Sequence, residues 1–108
     1  MNPSLTPIGV TEAELASKAV AARITPREID KTIAHEYYDV PPGSTLTLCV
    51  LTLRNGFTVV GHAACAAHAN FDPDIGRRIA FEHARNQIWP LLGYELRSKL
   101  TAEQESAD

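Results

Sequence analysis

The chain has 108 residues, 44% of them hydrophobic and 21% charged, with ten basic against thirteen acidic side chains. That composition suits one globular domain with a modest core, and a net charge of -3 argues against sequence-independent binding to nucleic acid, which needs a basic field. No apolar run nears the roughly 18 residues of a membrane span, no signal-peptide pattern opens the chain, and two cysteines without an export signal predict free thiols in a reducing cytosol.

Residues 1–10 carry Pro3, Pro7 and Gly9 without periodicity and read as a flexible arm, or as a packing arm in an oligomer. Thr11 and Glu14 form a capping box that predicts a thinly apolar helix to about Arg23. Thr25-Pro26-Arg27-Glu28 repeats the signal, with Pro26 suited to the first helical position. Ile29 and Ile33 share one face, so a second helix is expected from Pro26 to about Glu36, with His35 exposed near its end. Of the adjacent Tyr37 and Tyr38, one packs inward and the other is exposed and able to stack on a planar ligand. Pro41-Pro42-Gly43 then ends the helical half.

Residues 45–65 read as a β-hairpin about Asn55-Gly56. A two-residue loop there pairs Arg54 with Phe57, Leu51 with Val60, Cys49 with His62 and Leu46 with Cys65. That register puts Thr47, Cys49, Leu51, Leu53, Val60, His62 and Ala64 on one face. Leu46, Leu48, Val50, Val59, Ala63 and Cys65 lie on the other. Both faces are apolar, so two covers are expected: the following helix, and either the N-terminal helices or a second subunit. Cys49 and Cys65 point apart, which disfavours a disulfide. His62, Cys65 and His68 have a zinc-like spacing, but a regular strand separates the first two, and no metal site is assigned. Cys49 opposite His62 reads as a core thiol beside a satisfied histidine rather than a nucleophile pair.

Asp72 caps the central helix, with Pro73 and Asp74 in its first turn. Gly76, Ala80, Phe81, Ala84 and Ile88 form one apolar stripe, and Ile75, Ile79 and Trp89 form a second that calls for a partner, most simply in a symmetric dimer. The polar strip holds Arg78, Glu82 and Arg85, with Arg78 and Glu82 spaced for an ion pair. Pro90 is expected to end this helix. Residues 91–94 then turn, a short helix uses Leu96 and Leu100, and residues 101–108 form a polar tail. The fold class is α+β: N-terminal helices, a central antiparallel hairpin and one long helix packed on the sheet.

Ile24-Thr25-Pro26-Arg27-Glu28-Ile29, Thr47 to Phe57, Ala69-Asn70-Phe71-Asp72, Ile75-Gly76-Arg77-Arg78 and Ile88 to Tyr94 resemble a family of small tailed-phage proteins named for gene product 49 of one phage and gene 66 of another. The resemblance leaves residues 1–23 outside a domain over 24–100. Its size and accessory setting are similar to those of the phage Thoeris anti-defence sponges, which bind a cyclic ADP-ribose-type signal and deny it to host immunity. By that analogy the chain is a non-enzymatic protein of the host cytoplasm. It would sequester a cyclic ADP-ribose-type signal or cyclic oligonucleotide between subunits, without cofactor or membrane. Arg77, Arg78 and Arg85 would hold phosphate, Phe71 and Tyr94 would stack on a base, and Asn70 would read a polar edge. The alternative is an interaction module that inhibits a host protein. An enzyme is disfavoured, since no nucleophile–base pair or metal set stands at workable spacing.

Overall fold

The structure, a computed structural model, describes residues 11–18 and 22–107. The expected arm over residues 1–10 lies outside them. Helix α1 spans Glu12–Lys18. Its cap is as predicted, with the Glu14 N–H donating to Thr11 Oγ1 at 3.2 Å. It stops short of Arg23, which lies in irregular chain and returns a two-pronged ion pair to Glu12, at 3.1 and 2.6 Å.

Helix α2 spans Pro26–Thr32 and carries the complete predicted capping box between Thr25 and Glu28. It ends four residues earlier than the spacing of Ile29 and Ile33 predicts. The chain turns extended at the β-branched Ile33, and the hairpin tip takes the free helix carbonyls: the Arg54 N–H donates to Thr32 O at 2.9 Å and Arg54 Nε donates to Lys31 O. A third strand follows, β1, over Ile33–Asp39. His35 therefore sits in a strand opposite Thr52, not at a helix end. The tyrosine pair divides as expected: Tyr38 packs against the core and Tyr37 is 55% exposed.

β2 (Leu46–Leu53) and β3 (Thr58–Ala64) complete an antiparallel sheet of order β1-β2-β3. The hairpin is real, but its register is one residue from that predicted. The loop has three residues, Arg54-Asn55-Gly56, with Gly56 at φ +91° as the left-handed residue and the Leu53 N–H donating to Phe57 O at 2.7 Å. Cys49 thus faces Gly61, Leu51 faces Val59 and Leu48 faces His62. Because side chains alternate with period two, the slip exchanges the two faces of β3. Val59 and Gly61 go inward with Thr47, Cys49, Leu51 and Leu53, and Val60 and His62 go outward. Both cysteines are free.

Helix α3 spans Pro73–Asn86, capped by Asp72 Oδ1, which accepts from the Asp74 and Ile75 N–H groups at 2.9 and 3.1 Å. The predicted stripe of small residues is its seat on the sheet. Gly76 lies on Thr47, and Ala80 and Ala84 lie on Gly61. The core is Ile29, Cys49, Leu51, Leu53, Val59, Ala80, Ala84 and Ile88. The second flank is uncovered among the described residues at Ile75 and Ile79, whereas Trp89 packs against the core from the next helix.

Pro90 does not end a helix. The break falls at Gln87, and α4 runs over Ile88–Ala107 with Pro90 as its third residue. A first-turn N–H has no partner within a helix, so proline costs nothing there. The expected turn at residues 91–94 and the polar tail to residue 107 are instead one helix of 20 residues, about 30 Å long. The fold is α+β, as the sequence predicts.

The two sheet edges differ. At β3 the His62 N–H donates to His83 Nδ1 at 2.9 Å, and Gln87 Nε2 donates to Val60 O at 2.5 Å, so α3 and the residue that closes it cap that edge. At β1 no hydrogen bond among the described residues engages the backbone of residues 34–39 from outside the sheet.

Candidate functional site

Helix α3 rides over β2 and β3 and leaves the inner face of β1 partly open. The gap is a cleft of about 290 Å³ lined by Glu36 and Tyr38 from β1 and Arg77, Arg78 and Phe81 from α3. Strand alternation points Glu36 and Tyr38 the same way, opposite Leu51 and Cys49. One helical turn separates Arg77 from Phe81, which puts a guanidinium and a ring on the same side of α3.

The Tyr38 hydroxyl donates to Glu36 Oε1 at 2.8 Å. Burial pushes the phenol well above its ordinary range, and this bond adds to the shift because only the neutral phenol can donate to the carboxylate. Cys49 stands across the ladder from Tyr38, and its thiol is raised chiefly by its own burial. A raised, fully buried thiol is a poor nucleophile, and Cys49 belongs to the core beneath the sheet face rather than to the lining of the cleft. Arg77 pairs with Asp74 one turn earlier. Arg78 has no ion pair among the described residues; the predicted pair with Glu82 is not formed. Among the described residues Arg78 is therefore the cleft's cation without an ion pair, and it shares the lining with Tyr38 and Phe81.

The predicted site residues are dispersed. Arg77 and Arg78 line the cleft. Arg85 does not: its side chain is buried beneath α2, with Nε donating to Asp30 Oδ1 at 2.8 Å and Nη2 to Pro26 O at 3.4 Å. It pins α2 to α3, and its position about two turns along from Arg78, on the same side of a helical wheel, conceals that difference. Asn70 closes a 3₁₀ turn over His68–Asn70 and Phe71 follows it half-buried, both away from the cleft. Tyr94 is 78% exposed on α4. Sequence reasoning missed Glu36 and Phe81 as lining residues and gave stacking to the exposed tyrosine of the pair, whereas Tyr38, the one that packs inward, lines the cleft and the exposed Tyr37 does not. Recognising β1 as a strand supplies both corrections, since its alternation aims residues 36 and 38 at α3.

A second, larger groove of about 740 Å³ lies between α2, the hairpin tip and α4. Ile24, Leu53, Phe57, Leu92 and Leu96 form its apolar part, rimmed by Glu28, Lys31, Arg54, Glu95 and Lys99. It contains none of the predicted site residues. Among the described residues, no three of His, Cys, Asp or Glu are grouped to hold a metal ion, and no helix is long and apolar enough to cross a membrane.

The family model described as phage protein (N4 Gp49/phage Sf6 gene 66) family matches residues 24–100, which include the sheet, α2, α3, both concavities and most of α4. No curated protein and no solved structure matches the chain.

Proposed function

The chain belongs to the N4 Gp49/phage Sf6 gene 66 family of phage proteins, and on that footing we propose that it acts in the infected host cell as a non-enzymatic anti-defence sponge. It binds a nucleotide-derived immune signal, of the cyclic ADP-ribose type or a cyclic oligonucleotide, and withholds it unchanged. The observation that carries this reading is the cleft between α3 and β1, where Arg78, without an ion pair among the described residues, and Arg77 share the lining with the rings of Tyr38 and Phe81. A guanidinium suits phosphate and aromatic faces suit a base. At about 290 Å³ the cleft takes only part of such a ligand, since small-molecule sites run from roughly 300 to 1,000 Å³. A site shared between subunits would supply the rest.

Isothermal titration against cyclic ADP-ribose isomers and cyclic di- and trinucleotides tests the reading. Binding that Arg78→Ala weakens about tenfold or more supports it. Ligand recovered intact after heat denaturation distinguishes sequestration from catalysis. Silence across the whole set sinks the proposal.

The groove beside the hairpin tip favours a second reading, an interaction module that inhibits a host protein. Phe57 is 55% exposed within an apolar depression that has a charged rim, the anatomy of a protein contact. A host protein retained by the native chain but lost with Phe57→Ser would favour it over the sponge.

A further inference from the structure

The outer edge of β1, which no hydrogen bond engages among the described residues, borders the cleft. We infer that a second copy of this chain adds there, β1 against β1 in antiparallel register about Tyr37, and that the paired strands convert two shallow clefts into one shared trough. The inference rests on the cleft being the binding site for its purpose, but the pairing itself follows from the strand.

Three observations carry it. The first is the contrast between the edges. His83 and Gln87 cap the β3 edge at His62 and Val60, whereas residues 34–39 of β1 make no outward hydrogen bond among the described residues. An uncapped edge is a template for strand addition. The second is self-complementarity. A two-fold axis at Tyr37 sets Tyr37 against the partner's Tyr37, His35 against the partner's Asp39, and Glu36 against the partner's Tyr38. Aromatic pairs and hydrogen-bonding or opposite-charge pairs are the favourable cross-strand combinations, and no like charges meet in this register. The exposed Tyr37 gains a neighbour, and Glu36 meets across the axis the same side-chain type it already bonds within the chain.

The third is the geometry of the cleft. Strands lie about 4.8 Å apart, and α3 covers β2 and β3, so two copies hold their α3 axes roughly 19 Å apart. With helices about 10–12 Å across, a trough roughly 8 Å wide remains over the two β1 strands. Glu36 and Tyr38 of both copies make its floor, and Arg77, Arg78 and Phe81 of each copy make its walls. The partner thus contributes residues to a site that is incomplete on one chain.

Sedimentation equilibrium of the full chain without ligand tests the pairing. The expected mass is twice the 11.8 kDa of one chain. Tyr37→Asp sets two carboxylates against each other and should weaken association about tenfold or more, as should His35→Asp, which faces the partner's Asp39. His35→Asp combined with Asp39→Lys restores an opposite-charge pair and should recover the native association. Circular dichroism checks that the exposed substitutions leave the fold intact. A monomer at every concentration overturns the inference, as does a dimer indifferent to both single variants. Because no nucleotide is present, this result stands apart from the titration: a dimer that binds nothing leaves the pairing and removes the sponge.

Discussion

Replacing Gly61 by alanine adds one methyl group where helix α3 already lies. A Cβ on Gly61 would stand 2.3 Å from Ala80 O, 2.3 Å from Ala84 N and 2.8 Å from Ala84 Cα, whereas ordinary contact begins at 3.4 Å. Strand and helix must therefore part by about 1 Å. All three obstacles are backbone, so no rotamer change relieves them. Overpacking of this kind costs about 1–3 kcal/mol, and a rigid obstacle on both sides puts Gly61→Ala near 3 kcal/mol. A gap of that width also forfeits a quarter to a half of the dispersion energy between the separated surfaces. For a domain of this size the melting temperature should fall by roughly 12–24 °C, followed by circular dichroism. Gly93→Ala is the control. It lies within α4 with nothing within 4 Å of an added Cβ, and the helix propensity of alanine should stabilise the chain by up to about 1 kcal/mol. A fall of less than about 4 °C for Gly61→Ala would show that α3 is not seated on this glycine.

Thr47→Val should stabilise the protein by about 1 kcal/mol, read as a higher urea midpoint, because the threonine hydroxyl is buried under Gly76 without a hydrogen-bond partner among the described residues and valine has the same shape. Stability should also decline in alkali. Tyr38 and Cys49 are both raised in the folded state above their ordinary values of 10.0 and 9.0. The unfolded chain releases these protons first, the native state then binds more protons, and stability falls as pH rises. The urea midpoint of the reduced protein should therefore drop from about pH 9 upward, the region of the ordinary thiol value. Tyr38→Phe should blunt the part of the decline that begins near pH 10. Equal slopes for the two proteins would remove the buried phenol from the account.

Local chemistry was legible in the residues: the caps at Thr11, Thr25 and Asp72, the hairpin, and the glycine–alanine stripe that seats α3. Three features were hidden because their causes are not local. The strand β1 has no clean apolar alternation, and it exists because β2 offers it a ladder and Arg54 closes the helix before it. Asn55-Gly56 advertises a two-residue loop, but a three-residue loop with the same Gly56 serves equally at short range. The choice is made by which face of β3 fits against Ala80 and Ala84, and only Val59 and Gly61 do. Pro90 reads as a stop until the break at Gln87 makes it a first-turn residue. The cleft suffered most, since two of its five lining residues come from β1. Arg78 and Arg85 look alike on a wheel until Asp30, far away in sequence, claims one of them.

The capped edge at β3 has a consequence for how large the sheet can grow. A strand ladder with two free sides can add copies without limit, the route to fibres. Here two side chains at one end of the ladder, His83 and Gln87, occupy the groups that a further strand would need. Among the described residues the sheet has a valence of one: the proposed pairing through β1 would consume it, and growth by strand addition would terminate at six strands.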